Sequence, residues 1–470
     1  MSALRRTLVC ALLALGGLAA SAVPSWAHAT LVGSTPRAGG RVVESPRRVV
    51  LRFSEPVEVV NRSDVTVVDR NGQRVDVGDP RTAAGDPRRV IVPLHTPLVP
   101  DSYTVRFRVV SADSHSAVQA IVYATGHAPL RDPVFAGARG LTDSSPAAVA
   151  ARVFELVALG LLLGLLAFRG LVWGPAVAGA AARGLGDAER ERALRHGRRL
   201  FWRAFWTLAV LAGVAETSVL ATKSAVVFHT GLAAAALDTA AADHLVSASR
   251  FGDLLGLRFA VLVVLAVVAF ATWTVESHGA PSAGRRGPLA VMGLLGAAAL
   301  MLLASQGHAS QAPLAPLSIA ADAIHLAGAA IWVGGLPCLA VVLLRAPRTL
   351  PDGGRTLASA ALRRFSRLAL LSVVVIAVTG LARLAGELSS PAQLLTTGYG
   401  RDLMLKTSLL APILVLARRN RRFVAALAGG RTPTAARLRS VARSVQLELA
   451  IAMSIVLVAA ILVVQIPGRG

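Results

Sequence analysis

The sequence predicts two structural parts in one chain: an all-β Greek-key sandwich, and after it an all-α polytopic membrane bundle of about eight helices. A mean hydropathy of +0.59 and a hydrophobic content of 54% are too high for a soluble protein of 470 residues, although residues 28 to about 140 have ordinary polarity. Short β-branched runs separated by turn signals fill the first part, and long apolar segments fill the second. The expected divisions are a leader at 1–27, the sandwich at 28–127, a linker at 128–145 and the membrane part at 146–466.

The first residues are typical of a cleavable secretory signal peptide. Two arginines precede an apolar run from Leu8 to Leu18, and a Ser-x-Ala site ends at Ala27. Cleavage after Ala27 would make His28 the first residue of the mature chain. Loss of the leader would also remove Cys10, so that Cys338 would stand alone and no disulfide could form within one mature chain.

Five β-branched or alternating runs predict the strands of the first part. Turn signals such as Asn71-Gly72 and Gly85-Asp86-Pro87 separate them. Short strands at regular spacing over about a hundred residues favour a Greek-key sandwich. The runs are Val49 to Phe53, Asp64 to Asp69, Arg89 to Val92, Tyr103 to Val110 and Val118 to Tyr123.

The expected mature N-terminus and an Asp-x-His pair together predict a metal site. An N-terminal His28 offers a free amine and an imidazole nitrogen from one residue. Residues two apart in a strand point to one face, so Asp113 and His115 can converge. Two imidazoles, one amine and one carboxylate form a nitrogen-rich tetragonal set that favours Cu(II). The isolated His95 and His127 are interpreted as surface or turn residues.

Eight apolar segments predict the membrane bundle. If the sandwich lies outside the membrane, every second loop is cytoplasmic, and those loops carry most of the arginines. The formal net charge of +23 is then explained by the inner membrane face, and no nucleic-acid partner is predicted. The expected location is a bacterial cytoplasmic membrane, with the sandwich and both termini extracytoplasmic. The predicted spans are 149–168, 204–222, 254–275, 288–305, 317–344, 368–386, 402–417 and 444–466.

The membrane part contains two pairs of similar motifs that predict an internal duplication. An aromatic residue, a glycine, a leucine and a cation recur at the same spacing in Phe251–Arg258 and Tyr399–Lys406. Near the start of two other spans, Arg152–Glu155 matches Asp322–His325 in the spacing of its polar ends. Parallel repeats of this kind are common in transporters.

Ionisable side chains within the predicted spans are costly in a bilayer and mark functional candidates. Asp322 and His325 are three residues apart and share one helical face. The candidate transport path comprises His308, Asp322, His325, Cys338, Met404 and Lys406. All these candidates except Cys338 and Met404 are expected toward the outer side of the membrane. Further ionisable groups expected toward that side are Glu155, Glu216, Asp253 and Arg258.

A competing interpretation treats these intramembrane groups as structural pairs. Glu155 with Arg258 is one such pair, and Cys338 would then only fill space in the core. As a cation, Lys406 would repel a copper ion, so it is expected to balance an acid such as Asp322 or to gate the path.

Several motifs cover the whole first part: His28-Ala29-x-Leu31, Ser34-x-Pro36-x-x-Gly39, Leu51-x-Phe53-Ser54-Glu55-Pro56-Val57, Tyr103-Thr104-Val105 and Ser111-Ala112-Asp113-x-His115. Together they resemble the copper-binding CopC family. The resemblance implies a β-sandwich with one Cu(II) in a histidine brace formed by His28, Asp113 and His115, with Glu55 as a weaker candidate ligand. No methionine lies between residues 28 and 140, so the Met-rich Cu(I) site of some relatives is expected to be absent.

The second part carries Gly307-His308-Ala309, His325-x-x-Gly328-Ala329-x-x-Trp332-x-Gly334-Gly335-Leu336, Arg364-Phe365-Ser366, and Tyr399-Gly400 with Lys406. These motifs resemble CopD, the membrane partner of CopC. The whole chain is therefore similar to CopC–CopD fusion proteins, which are associated with copper uptake and copper resistance. That resemblance implies copper import and copper homeostasis, with a copper ion, the lipid bilayer and an extracytoplasmic copper donor or acceptor protein as partners.

Other function classes are disfavoured by the sequence. Walker, Asp-Lys-Thr-Gly and Cys-Pro-Cys motifs do not occur in it, which argues against ATP-driven export. No enzymatic activity is expected. The alternative function is a membrane-anchored protein that sequesters or senses copper outside the membrane without transporting it. The direction of transport, the oxidation state carried, the energy source and the oligomeric state stay open.

Overall fold

A computed structural model describes residues 31–54, 56–59, 64–111, 116–131, 145–228, 230–278, 286–306, 315–387, 393–396, 398–426 and 433–463. The predicted leader lies outside these ranges. So do five candidate site residues: His28, Glu55, Asp113, His115 and His308.

The described residues of the first part form nine strands in two sheets. They are β1 (Leu31–Thr35), β2 (Arg41–Val42), β3 (Arg48–Phe53), β4 (Val57–Glu58), β5 (Val65–Val68), β6 (Arg81–Ala83), β7 (Asp86–Pro93), β8 (Ser102–Ser111) and β9 (Ser116–Thr125). One sheet has the order β1-β3-β7-β6, and the other has the order β2-β9-β8-β4 with β5 also paired to β8. All five predicted strands are present, and the predicted all-β sandwich is confirmed.

Alternating side chains of the two sheets form the sandwich core. Val49, Leu51 and Phe53 of β3 are each at most 1% exposed, and the Phe53 ring meets Phe107 of β8 edge to face at 5.5 Å. The long β8–β9 ladder ends with Val110 opposite Ser116. Asp113 and His115 fall between these two strands, outside the described residues, so their geometry stays a prediction.

The described residues of the second part form thirteen helices and one π-helical segment. They are α1 (Pro146–Ala167), the π-helical segment Phe168–Trp173, α2 (Gly174–Ala181), α3 (Asp187–Val227), α4 (Leu232–Leu237), α5 (Thr239–Ala248), α6 (Arg250–Ser277), α7 (Arg286–Ser305), α8 (Ala315–Thr349), α9 (Gly354–Glu387), α10 (Gln393–Thr396), α11 (Gly398–Ser408), α12 (Leu410–Ala426) and α13 (Ala435–Val463).

Seven helical segments in the described part of the chain are long and apolar enough to cross a membrane: Pro146–Ala181, Asp187–Val227, Arg250–Ser277, Gly287–Ser305, Pro316–Thr349, Gly354–Arg383 and Ala435–Leu462. They coincide with seven of the eight predicted spans. Several continue beyond the apolar stretch, since basic residues such as Arg195 and Arg363 are compatible with helix. The chain is therefore a multi-pass membrane protein.

The eighth predicted span, 402–417, forms two shorter helices rather than one. α11 ends at Ser408 and α12 begins at Leu410. Pro412 accounts for this break, because proline lacks the N–H that would bond to the Ser408 carbonyl and its ring crowds that carbonyl.

The two short helices nevertheless follow the path of a single span. Leu403 of α11 packs against Val458 and Leu462 near the end of α13. Further along, Asn420 of α12 donates a hydrogen bond of 2.6 Å to Glu448 nearer the start of α13. α11 and α12 therefore run together, antiparallel to α13.

Two ends of the bundle can be distinguished by their charges and contacts. The arginine end is where α3 and α9 begin, and there Glu189 accepts a hydrogen bond of 3.2 Å from the backbone N–H of Asp352. The sandwich end is the opposite end, where α3 ends and α6 begins. α4 and α5 connect those two helices at the sandwich end.

Candidate functional site

A fully buried guanidinium forms the first polar site inside the bundle. Arg258 of α6 is 0% exposed and donates from Nε and Nη2 to the carboxylate of Glu216 in α3, at 2.8 and 2.6 Å. Its Nη2 also bonds to Glu155 of α1, and its Nη1 donates to the side-chain oxygen of Gln306 at 2.7 Å. Arg152 pairs with the second oxygen of Glu155.

These contacts pair every charge of the first polar site. Two guanidinium groups balance two carboxylates, and the network joins α1, α3, α6 and the residue that follows α7. The expected structural pair of Glu155 with Arg258 is therefore confirmed. Gln306 was missed by sequence reasoning, because it lies at the end of an apolar span and is not ionisable.

The second polar site is centred on His325 of α8. Its Nδ1 lies 3.0 Å from Oγ1 of Thr379 in α9. The Thr379 hydroxyl donates its own proton to the carbonyl of Val375 at 2.7 Å, so it accepts from the histidine. This pattern assigns the proton to Nδ1 and leaves the Nε2 lone pair for another ligand, the arrangement that metal-binding histidines use.

Charged groups surround this imidazole. Arg383 of α9 pairs with the buried Asp322 of α8 at 2.5 Å. The positive charges of Arg383 and Lys406 both act on His325. The structure thus brings His325, Asp322 and Lys406 into one region. Arg383 is a cation that pairs with Asp322. Its position inside the predicted span 368–386 is the sequence feature from which this pair could have been predicted.

Of the other two described candidates of the predicted path, Cys338 lies away from His325. Cys338 is thirteen residues further along α8, about 20 Å at the helical rise of 1.5 Å per residue. Its sulfur lies 3.7 Å from the carbonyl of Gly334 and packs against both main apolar clusters of the bundle. Met404 of α11 is 37% exposed. The environment of Cys338 fits the space-filling interpretation.

A third intramembrane polar pair was not singled out from the sequence. Glu448 of α13 is 5% exposed and accepts the hydrogen bond from Asn420. The signal that could have found it is a lone carboxylate in the last predicted span, 444–466.

The described residues contain no group of three or more His, Cys, Asp or Glu side chains that could hold a metal ion. The predicted Cu(II) ligands His28, Asp113 and His115 lie outside those residues, as do Glu55 and His308. The ligand set therefore remains a prediction.

One end of the sandwich meets the membrane part. Val57 and Glu58 of β4 pair with Ser111 and Val110 at the end of β8, directly before residues 112–115. Oε1 of Glu58 lies 3.0 Å from Nε2 of His244 in α5. The end of the sandwich that leads into the predicted ligands therefore contacts the sandwich end of the bundle.

Both parts of the chain match known families. Residues 31–126 match the CopC domain, and residues 359–462 match Copper resistance protein D. The Copper transport protein CutJ of Bacillus subtilis (strain 168) is 28% identical over 409 residues, covering 83% of this chain and 67% of the relative.

Two further relatives cover the first part alone. Protein YobA of Escherichia coli (strain K12) is 34% identical over 90 residues, which is 19% of this chain and 72% of YobA. The crystal structure of CopC from Methylosinus trichosporium OB3b is 28% identical and matches 23% of this chain and 100% of that chain, with a TM-score of 0.19.

Proposed function

Because the chain joins a CopC domain to a CopD domain in one membrane protein, we propose that it binds copper outside the cytoplasmic membrane and passes it inward. The sandwich takes up Cu(II) through the brace of His28, Asp113 and His115. The membrane part then carries the ion past His325.

The contact between Glu58 and His244 is the observation that carries this proposal. It places β4 and the end of β8, the strand that precedes Asp113 and His115 in the sequence, near the membrane part. A copper ion released there would have a short path to the bundle. A membrane part that served only as an anchor would need no contact with the end of the sandwich that leads into the predicted ligands.

The charge distribution supports the inward orientation. Arginines are concentrated at the end where α3 and α9 begin, and membrane proteins keep such segments in the cytoplasm. This orientation leaves the sandwich and the brace on the extracytoplasmic side.

A second function has one observation in its favour. Arg383 and Lys406 place two cations beside His325, and they would oppose the approach of a copper cation. The alternative is therefore an anchored extracytoplasmic protein that sequesters or senses copper without moving it.

Copper content of cells under copper limitation separates the two functions. Cells that express the full chain should accumulate more copper than cells without it, and His325→Ala should abolish the gain at matched membrane abundance. Unchanged accumulation for His325→Ala, and equal accumulation by the sandwich on an unrelated anchor, would reject transport in favour of the alternative.

A further inference from the structure

The helices α1 and α8 occupy equivalent places in the two halves of the bundle. Gly164 follows Glu155 by nine residues, and Gly334 follows His325 by the same nine. A methyl group at Gly164 would lie 2.5 Å from Cα of Gly334, so the two backbones touch at these glycines. Equivalent residues of the two halves thus meet at the crossing of α1 and α8.

Both helices also run in the same direction. Gln306, just after α7, joins the Arg258 network near the start of α1. Ile319, near the start of α8, packs against Met301 and Ala304 at the end of α7. The starts of α1 and α8 therefore share the sandwich end, as a parallel duplication requires.

The next helix of each half keeps the correspondence. Ala215 follows Phe201 of α3 by fourteen residues, as Thr379 follows Phe365 of α9. Where α3 has Glu216 after this position, α9 has Gly380. A methyl group on Gly380 would lie 3.6 Å from the His325 ring, so the imidazole occupies the space beside this glycine.

The two halves differ in how their equivalent sites are held. Arg258 sits on a continuous helix and is saturated by two carboxylates and an amide. Its sequence counterpart, Lys406, lies two residues before the end of α11, where the third helix of the second half is interrupted. An interrupted helix beside a polar site is a device that transporters use at the site of passage.

We propose that the membrane part is a duplicated unit in which the first polar site, locked by Arg258, is a fixed scaffold, and the equivalent site at His325 is the one that opens to a hydrated cation. The identification of that cation as copper rests on the proposed function; the asymmetry between the halves does not. The nitrogen that would meet the cation is Nε2 of His325, because Nδ1 is engaged by Thr379.

Matched cysteine substitutions test the asymmetry. In a Cys338→Ser background, Thr379→Cys reports on the second site and Ala215→Cys on its counterpart in the first. A positively charged methanethiosulfonate is applied to sealed membranes without copper, and the labelling rate is measured. We expect Thr379→Cys to react about tenfold faster than Ala215→Cys, because only the second site opens.

A second pair guards against a variant that fails to fold. Ile376→Cys and Ala212→Cys lie one turn earlier on the same two helices and should show the same order. Equal rates within both pairs, or faster labelling in the first half, would overturn the proposal. If the asymmetry holds while the full chain gives no copper accumulation, the proposed function fails and the inference about the two sites stands.

Discussion

Arg258 fixes the relative position of three helices through one side chain. A guanidinium in an apolar bundle must be paired, because removing one partner leaves an uncompensated buried charge that costs about 3–5 kcal/mol. Its hydrogen bonds to Glu216 and Glu155 set the register of α6 against α3 and α1. Among the described residues His325 has fewer side-chain partners than Arg258, as expected if His325 binds and releases an ion as proposed.

The brace predicts a strict requirement for a free amine on His28. A mature chain with one extra residue before His28 should lose tight Cu(II) binding and keep its fold. His115→Ala should lower the Cu(II) affinity by at least roughly 10- to 100-fold, which is the loss caused by removing a group that only hydrogen-bonds to a metal ligand. Asp113→Ala should lower it by less, because water can replace a carboxylate ligand. Competition titration of the purified full chain measures each affinity. Parent-like binding by all three variants would place the copper site elsewhere.

Two stacked tyrosines in the sandwich predict a loss of stability in alkali. The Tyr103 and Tyr123 ring centroids are 5.5 Å apart. Burial raises the pKa of both phenols, and the Asp101 charge adds to the effect at Tyr103. A phenol whose pKa is raised by folding stabilises the fold fully below about pH 10, and that contribution is lost as pH rises toward the folded-state value.

Hydrogen exchange of β8 and β9 peptides between about pH 8 and pH 11, corrected for the intrinsic rate, measures this loss. Tyr123→Phe should weaken the dependence of hydrogen exchange on pH. It should cost little stability, because the Tyr123 hydroxyl has no hydrogen-bond partner among the described residues. Tyr399→Phe in α11 is the control. A parent-like profile for Tyr123→Phe would contradict the assignment.

Among elements, the interrupted pair α11–α12 differs most from a simple span. Its halves lie along α13 as one crossing, yet Pro412 prevents a continuous helix. The break follows Lys406 by two residues. A change in the angle between α11 and α12 would therefore move the Lys406 ammonium group relative to His325.

Pro412→Ala should join α11 and α12. Alanine can continue a helix across this junction and proline cannot, so the melting temperature should rise. Copper accumulation should fall, because a rigid helix holds Lys406 in place. Pro337→Ala, in the continuous α8, is the matched control. A stabilised Pro412→Ala variant with full accumulation would show that the break plays no part in passage.

The sequence predicted elements well where one periodicity dominates. Strands such as Val49 to Phe53 were found within about one residue, since β-branched residues and turn signals agree there. The short α4 and α5 were not predicted, because segments of 6 and 10 residues are too short to stand out as membrane spans. The partnership of His325 with Thr379 was also out of reach, since it depends on the rotation of two helices about their axes.

At the scale of the whole molecule, the sandwich and the membrane part meet at the end of the sandwich that leads into the predicted ligands. His244 and Glu58 form this contact from side chains that are each about half exposed. Such a contact is weak in itself and contributes about 0.2–1 kcal/mol. Its importance lies in orientation.

His244→Ala should therefore lower copper accumulation by up to about fivefold and leave Cu(II) affinity unchanged. His278→Ala is the control, because His278 is exposed at the other end of α6. Loss of Cu(II) affinity in His244→Ala would instead make His244 a ligand. Parent-like accumulation would show that this contact does not guide the ion.

Copper flux into sealed vesicles that contain only the purified mature chain tests the central claim most directly. The parent should deliver copper to a chelating dye inside the vesicles. The chain with an extra residue before His28 and the His325→Ala variant should both fall to the level of empty vesicles. Flux equal to the parent in both variants, or no flux with the parent, would contradict the account.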